Sequence, residues 1–344
     1  MKKYLYIAIA AATLASCSQD EVMEVAKGEA ISFGTFVENS SRATDPSYST
    51  TTGKGTALTQ FNVYGTVNNV NIFDGNLVTK GNVGYGTAWT QADGKLQYWI
   101  PGANYKFVGI VDGNESGVTS TATNSTTGMP ETISYTADGK TDLLCATVQR
   151  EENTDYTVVP FTFTHLLSKI NFTVTNKSAA AEGYSFVVKN IQFTGNVKGK
   201  YDVVNAKWVA NGFSTGNTIV GNERTIIVQG KDETVKDIVV ATGVTSTELG
   251  TEVLFLPGTY AITFTVDILY NGTVITTNDY PAEETTYSYT LAQNTAYNFN
   301  VEVTVGNPIQ FTATTMSDWV NGNTADSNND KVNDYVPVVP VANN

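Results

Sequence analysis

Short runs of alternating or β-branched residues recur along this chain, and turn-forming residues separate them. Representative runs are Tyr105–Val111, Tyr184–Phe193, Tyr260–Tyr270 and Tyr297–Val305. Asn271-Gly272 gives the strongest hairpin signal, because both residues tolerate the positive φ of a tight type I′ turn. No segment has the apolar period of a long amphipathic helix. Many short strands at close spacing predict an all-β fold built from antiparallel sandwiches.

A short sequence pattern that occurs twice bears on the number of domains. Apolar residues lead into Pro101-Gly102 and again into Pro257-Gly258, and a tyrosine, Tyr105 or Tyr260, opens the strand that follows. The chain has 344 residues, which suits about two domains. We therefore predict two tandem antiparallel β-sandwich domains of transthyretin-like or Greek-key type. Chance similarity is the alternative, because Pro-Gly turns are common.

Composition excludes several classes of function. The formal net charge is −13, so the chain is a poor partner for nucleic acid, whose phosphates bind Lys and Arg. One histidine, His165, and two cysteines, Cys17 and Cys145, are too few for most zinc sites and disulfide scaffolds. We expect no catalytic residue, no metal site and no cofactor.

The first residues have the pattern of an export signal. Lys2 and Lys3 precede an apolar run from Tyr4 to Ala15 that is too short to span a bilayer comfortably. Leu14-Ala15-Ser16-Cys17 then resembles a bacterial lipobox, in which the cysteine becomes the acylated first residue of the mature chain. We predict a signal peptide over residues 1–16 and lipidation at Cys17. An ordinary signal peptide with an incidental cysteine is the alternative.

Two segments in the middle of the chain resemble the signature of a known family. They are Thr141-Asp142-Leu143-Leu144-Cys145-Ala146 and the run from Val159 to Phe172, which contains Phe163-Thr164-His165 and Leu167-Ser168-Lys169. Ala30-Ile31-Ser32-Phe33, Leu256-Pro257-Gly258-Thr259-Tyr260 and Tyr297-Asn298-Phe299 agree with it, in the same order. Together with the lipobox, these pieces are similar to fimbrillins, the type V pilins and accessory subunits of anaerobic diderm bacteria. The resemblance covers roughly residues 1–320.

The resemblance implies a structural and adhesive fimbrial subunit rather than an enzyme. Lipoprotein export machinery would deliver the precursor to the outer membrane, and an Arg-specific protease would cut a loop near the N-terminus. The first strand would then leave, and an extended segment of another fimbrial subunit would fill its place, a process called donor-strand exchange. The product would be a cell-surface fimbrium whose host or bacterial ligand is unknown.

A matching cleavage site lies between Arg42 and Ala43. Arg42 is in a polar segment just after the strand-like run Ile31–Val37, and no other Lys or Arg lies between Lys27 and Lys54. We predict processing at this bond; an exposed arginine that is never cut is the alternative. The predicted displaced strand has Ile31, Phe33 and Val37 on one face, with Thr35 between them.

The candidate donor strand is the tail. A polar stretch, Asn321–Asp334, precedes an apolar run whose candidate donor residues are Tyr335, Val336, Val338, Val339 and Val341. Pro337 and Pro340 lie on opposite faces of a strand, so the tail cannot pair continuously on both of its edges. A frayed terminus or a tail that folds back on its own domain is the alternative, and it leaves stalk and tip positions open.

The predicted organisation has five parts. Residues 1–16 are the signal peptide, 17–42 the lipidated segment with the removable first strand, 43–167 the first sandwich with strand 30–37 before cleavage, 168–320 the second sandwich, and 321–344 the flexible tail. A second class of function stays open at this stage. It is a cell-surface glycan-binding lipoprotein that does not polymerise, in which some of the aromatic residues stack on sugar rings.

Overall fold

A computed structural model describes the chain in a series of ranges. They are residues 30–37, 47–49, 54–56, 60–80, 89–91, 96–112, 117–139, 141–178, 183–220, 237–240, 247–248, 253–281, 287–306, 309–316 and 336–338. Within these ranges the backbone is mostly β-strand, and the helical content is one 3-10 turn at Ala210–Gly212. The all-β prediction is therefore confirmed. No helix in these ranges is both long and apolar enough to cross a membrane.

The strands fall into two series along the chain. The first series is β1 (Phe33–Val37), β2 (Ser47–Ser49), β3 (Lys54–Thr56), β4 (Gln60–Val67), β5 (Val70–Lys80), β6 (Trp89–Gln91), β7 (Tyr105–Val111), β8 (Thr119–Thr123), β9 (Pro130–Thr136), β10 (Leu144–Arg150) and β11 (Val159–His165). The second is β12 (Ser168–Asn176), β13 (Tyr184–Asp202), β14 (Lys207–Trp208), β15 (Ser214–Val220), β16 (Asp237–Val240), β17 (Thr247–Glu248), β18 (Val253–Phe255), β19 (Gly258–Tyr270), β20 (Thr273–Tyr280), β21 (Ser288–Leu291), β22 (Thr295–Val303), β23 (Gln310–Met316) and β24 (Val336–Val338).

The first sheet has the order β1-β11-β10-β7-β4-β5-β6 and closes on itself through β1. Successive side chains of a strand point to opposite faces of the sheet, and the inward ones are apolar here. In β11, Val159, Phe161 and Phe163 are buried, and Pro160 and Thr162 are exposed. All its pairs are antiparallel except β1 with β11. Phenylalanine rings from several strands fill the interior.

The second sheet has the order β17-β12-β22-β23-β24, and β18 also pairs with β12. β12 and β22 are parallel, from the pair Ser168–Thr295 to the pair Asn176–Val303. The pair β12–β22 is therefore parallel, like the pair β1–β11 in the first sheet. Both first strands carry Ile-x-Phe, at Ile31 and Phe33 in β1's segment and at Ile170 and Phe172 in β12, and all four side chains are buried.

The third sheet is built on the long strand β13 and has the order β20-β19-β13-β9-β8. β19 pairs with the first part of β13, and β9 pairs with its end, from Lys198–Thr136 to Asp202–Thr132. A strand from the first half of the chain thus shares a sheet with strands from the second half. A separate core cluster that includes Ile133, Tyr135, Leu166 and Leu254 lies at this junction.

The division into two sandwiches at residue 167 stays a prediction. Two observations support related halves: the parallel closing pairs, and the Pro-Gly corners, where the hydroxyls of Tyr105 and Tyr260 bond the backbone of Ile100 and Leu256, each just before its proline. β11 ends at His165 and β12 begins at Ser168, so only two buried leucines separate the halves. Together with the shared β13 sheet, this short connection favours a stiff joint.

Candidate assembly site

The segment Ala30–Val37 occupies the closing edge of the first sheet. β1 pairs in parallel with β11 from Phe33–Val159 to Val37–Phe163, and the N–H of Val159 donates to the carbonyl of Ser32 at 2.8 Å. On its other side the described contacts are fewer. They are the pair Phe33–Trp89, the bridge Ala30–Tyr98, and the Ile31 N–H bond to Gln97 O at 2.8 Å.

Phe33 makes the main apolar contact among the described side chains of this segment. Its ring is 2% exposed and lies among four other phenylalanine rings at centroid distances of 5.5–6.2 Å. Those rings are Phe61, Phe73, Phe107 and Phe161. Ile31, two residues earlier, is also buried. Removing the segment would leave a hydrophobic slot, the Phe33 pocket, lined by these four rings.

The register places the remaining predicted residues of the displaced strand. Thr35 pairs with Phe161 and Val37 with Phe163, and both partners are buried. The side chains of Thr35 and Val37 themselves lie outside the described set. The predicted processing residues Arg42 and Ala43, and the predicted lipidation residue Cys17, also lie outside the described residues.

The tail is described only in β24. β24 pairs antiparallel with β23 of the same chain, through Ala313–Val338, Thr314–Pro337 and Thr315–Val336. Of the candidate donor residues, Val336 and Val338 are therefore on the edge of the chain's own second sheet, while Tyr335, Val339 and Val341 lie outside the described residues. For Val336–Val338, the part of the tail that the structure describes, the arrangement is that of a tail folded back on its own domain.

Comparison with known proteins places these features in a family. The model of the fimbrillin-like family matches residues 41–319, which is most of the chain. The chain belongs to the fimbrillin-like family. A comparison with curated proteins found no match.

Comparison with solved structures also found fimbrial proteins of bacteria. A fimbrial protein from Bacteroides vulgatus has a TM-score of 0.54 at 14% identity, with 83% of this chain and 98% of that chain covered. The fimbrial anchor protein Mfa2 from Porphyromonas gingivalis is similar at a TM-score of 0.39 and 13% identity, with 85% of this chain and 97% of that one covered. At 14% identity, the likeness to the Bacteroides vulgatus protein bears on the fold alone.

Membership of the fimbrillin-like family also bears on the expected absence of catalysis. Fimbrillin-like proteins are structural proteins, and the chain is accordingly not an enzyme. Among the described residues, no group of three or more His, Cys, Asp or Glu side chains is arranged to hold a metal ion. Cys145 is buried, and burial raises the pKa of its thiol to about 12, so it is a poor nucleophile at neutral pH.

His165 has an acidic partner that its immediate sequence does not show. Its Nδ1 lies 2.7 Å from Oδ2 of Asp142, whose Oδ1 accepts the N–H of Leu143 at 2.8 Å. Both residues lie within the two segments that carry the family resemblance. The Asp142–His165 pair is thus a contact between two sequence motifs. The presence of both motifs in the family pattern is the signal that could have indicated the contact.

Arg150 is a second feature that the sequence did not indicate. Its guanidinium donates to the backbone carbonyls of Asp155, Thr157 and Val158 at 2.8–3.1 Å and lies 4.9 Å from the centroid of the Trp99 ring. Its side chain is only 12% exposed. Arg150 therefore fixes the loop that leads into β11, beside the segment that pairs with Ala30–Ile31.

Proposed function

We propose that this protein is a fimbrial subunit, exported as a lipoprotein with Cys17 acylated and assembled at the cell surface by protease-triggered donor-strand exchange. Its partners would be other fimbrial subunits, the lipoprotein export machinery and an Arg-specific protease that cuts between Arg42 and Ala43. The outer membrane would hold the lipid-anchored precursor. Membership of the fimbrillin-like family supports the role of a fimbrial subunit. The position of Ala30–Val37 at the closing edge of the first sheet supports donor-strand exchange.

The observation that carries the proposal is Phe33 at the closing edge of the first sheet. The segment contributes a buried isoleucine and a buried phenylalanine to the core, and each large apolar side chain is worth about 1.5–3 kcal/mol of burial. Loss of the segment would expose those contacts and leave the edge of β11 unpaired. An unpaired edge beside an apolar slot readily accepts another strand.

The sequence after β1 provides a cut that would release this segment. Cleavage after Arg42 separates Ala30–Val37 covalently from the rest of the sheet, so that only noncovalent contacts retain it. The chain has two other arginines, Arg150 and Arg224. Arg150 is held by three carbonyls and packed on Trp99. We therefore expect Arg42 to be cut before Arg150 in the folded protein.

The test is limited digestion of the folded chain carrying Cys17→Ser, which prevents acylation, with an Arg-specific protease. The expected result is a new N-terminus at Ala43 and ladders that resist SDS without heating. Arg42→Lys is the matched control, since it keeps the charge and removes the cleavage site. Arg224→Lys removes a competing cut. Digestion at Ala43 that leaves only monomers would contradict assembly by strand exchange.

The same digest addresses the glycan-binding alternative. Of the four tryptophans, Trp99 is buried in the first core, and Trp208 packs on Tyr201 and Phe213 and donates its indole N–H to the carbonyl of Leu166. Neither ring is presented as a flat sugar platform. Retardation of a monomeric digest in a polysaccharide affinity gel would instead favour the glycan-binding function.

A further inference from the structure

Most of the exposed large apolar side chains that the structure describes lie in two groups. The first group borders the closing edge of the first sheet and consists of Leu96, Tyr98, Ile100 and Val158. The second group is at the β19–β20 hairpin and consists of Tyr270, Val274 and Ile275. All seven side chains are 44–58% exposed. Single exposed apolar residues are ordinary, but a group of them is typical of a surface that another molecule covers.

The outer face of the closing segment carries small residues from position 30 to position 34. Ile31 and Phe33 are buried, and successive residues of a strand point to opposite faces of the sheet. The outward positions are therefore Ala30, Ser32 and Gly34. Because none of these residues has a large side chain, this part of the segment forms the floor of a shallow groove.

Large apolar side chains border this floor on both sides. On one side is Tyr98, which forms a β-bridge with Ala30. The neighbouring Trp99 is buried, so the alternate positions 96, 98 and 100 face outward together. On the other side is Val158, whose Cγ1 would lie 3.0 Å from a Cβ at Gly34. The first group thus forms the two walls of the groove, which we call the closing groove.

The second group forms a ridge of similar chemical character, which we call the hairpin ridge. β20 is an edge strand of the third sheet, and its residues from Thr273 to Asp279 are all exposed. The ridge consists of one tyrosine and two aliphatic side chains, and the walls of the closing groove consist of one tyrosine and three aliphatic side chains. Neither group contains a charged residue. Contact between the two would therefore remove apolar surface from water on both sides without burying a charge.

The hairpin ridge and the closing groove are associated with opposite ends of the long strand β13. Tyr184, at the start of β13, pairs with Tyr270 of the hairpin. Lys198, near the end of β13, pairs with Thr136 of β9, which belongs to the first half of the chain. Positions 184 and 198 are 14 residues apart, which is about 45 Å at the rise of a β-strand. The ridge of one molecule is therefore too far from its own groove to cover it.

We propose that the hairpin ridge of a second copy of this chain docks in the closing groove. The two surfaces differ, so the contact is heterologous and leaves a free groove at one end of the pair and a free ridge at the other. Repetition of the contact extends a head-to-tail row of subunits. The inference rests on the proposed function, since a fimbrial subunit needs a contact between siblings that repeats. The walls of the groove, unlike its floor, stay in the molecule after cleavage at Arg42.

The contact should be weak when it acts alone. Stable interfaces between proteins bury about 1,200–2,000 Å² in total, and seven partly exposed side chains supply only part of that area. We therefore expect ridge and groove to orient neighbouring subunits during assembly, while strand exchange holds them together. The uncut chain should accordingly show the contact only at high concentration.

Photo-crosslinking between light and isotopically heavy copies tests the contact. Ile275→p-benzoylphenylalanine is introduced into the Cys17→Ser chain, and the mixed populations are irradiated both uncut at high concentration and after digestion with the Arg-specific protease. We expect crosslinks from position 275 of one population to peptides of the other that contain Leu96–Ile100 or Val158. Val204→p-benzoylphenylalanine, at an exposed valine outside both groups, is the matched control and should not reach these peptides.

Charge substitution gives a readout that a folding defect would not reproduce. Tyr98→Asp and Ile275→Lys each place an unpaired charge in the contact, so each should slow ladder formation after a timed digest at least about fivefold. The chain that carries both substitutions should recover most of the rate, because opposite charges then meet across the contact. Tyr98→Asp combined with Val204→Lys is the matched control and should stay slow.

The outcomes separate this inference from the proposed function. Ladders that form at the wild-type rate in both single variants would overturn the docking and leave strand exchange intact. Crosslinks that join position 275 of one copy to the hairpin of another would replace the head-to-tail contact with a symmetric one. Monomers alone after cleavage at Arg42 would overturn strand exchange, and the crosslink in the concentrated uncut chain would still decide whether the ridge docks in the groove.

Discussion

His165 Nδ1 lies 2.7 Å from Asp142 Oδ2, and both side chains are at most 5% exposed. The pair joins the end of β11 to the segment that leads into β10, next to the two leucines that connect the halves of the chain. Without the imidazole, Asp142 Oδ2 would be buried without its hydrogen-bond partner, so His165→Ala should destabilise the protein by about 1–3 kcal/mol. The measurement is the free energy of unfolding in urea, by fluorescence.

An exposed substitution serves as the control for this pair. Val204 is 75% exposed, so Val204→Ala should change the free energy of unfolding by no more than about 0.5 kcal/mol. If His165→Ala lowered the free energy of unfolding as little as the control does, the Asp142–His165 pair would contribute nothing to the stability of the connection between the halves of the chain.

Truncation of the closing segment's main side chain should both destabilise the precursor and ease assembly. Phe33→Ala removes a ring packed among four others, and buried phenylalanine truncations cost about 3–5 kcal/mol. After cleavage at Arg42, the weakened segment should leave faster. Unfolding in urea measures the first effect, and the rate of ladder formation after a timed digest measures the second.

Ser32→Ala is the control in the same segment, because Ser32 holds β11 through its backbone carbonyl, which alanine retains. It should alter neither quantity. If Phe33→Ala formed ladders more slowly than wild type, departure of this segment would not limit assembly.

The sequence predicted the local elements well and the long-range pairs poorly. Asn271 and Gly272 form the hairpin turn between β19 and β20 with φ values of 49° and 81°, as their residue types require. The parallel pairs β1–β11 and β12–β22 join residues more than a hundred positions apart, which no local pattern encodes. The Asp142–His165 contact was missed for the same reason.

β13 shows how tertiary packing extends a strand past residues that usually interrupt one. The alternating pattern predicted a strand over Tyr184–Phe193, but β13 continues to Asp202. Gly195 and Gly199 lie within the extension, under the rings of Tyr260 and Trp208. Glycine is needed there for close approach of the rings, which only the folded partner strands reveal.

Gly195→Ala tests this close approach. A Cβ at position 195 would clash with atoms of the Tyr260 ring. That ring cannot easily move, because its hydroxyl oxygen lies 2.8 Å from the carbonyl oxygens of both Asn196 and Leu256, either of which can accept its single proton. Overpacking of this kind costs about 1–3 kcal/mol in unfolding free energy, which urea denaturation measures.

A double-mutant cycle with Tyr260→Ala isolates the clash. Without the ring, the added methyl group has space, so Gly195→Ala should cost much less in the Tyr260→Ala background. Additive losses would place the effect in the backbone of β13 rather than in contact with the ring.

Because of Asp267, the free energy of unfolding should fall as the pH is lowered into the acidic range. Burial acts to raise the pKa of its carboxyl, but hydrogen bonds from Lys189 and Thr277 outweigh burial and hold the pKa below its usual range. A depressed folded pKa contributes stability above the unfolded pKa of about 3.9, and that contribution is lost as pH falls through the folded pKa. Urea unfolding between neutral pH and about pH 3 measures it.

Asp267→Asn should flatten part of this acid dependence, and Lys189→Met should flatten it in the same direction. Glu152→Gln, at an exposed acid outside the network, is the control. An Asp267→Asn profile parallel to that of wild type would mean that the carboxylate contributes no pH-dependent stability.

Donation of the tail to another molecule would require it to leave β23, because Val336 and Val338 of β24 pair with Thr315 and Ala313. A disulfide between Thr315→Cys and Val336→Cys in the Cys17→Ser chain should keep the tail in place, since paired strand residues lie within disulfide reach. The remaining thiol, Cys145, is buried, and burial raises its pKa to about 12, so it should not compete. After cleavage at Arg42, we expect monomers from the oxidised protein and SDS-resistant ladders once dithiothreitol is added. Each single-cysteine variant should form ladders under both conditions. Ladders from the fully oxidised double variant would show that donation does not require release of β24, and the donor strand would then have to lie elsewhere in the chain.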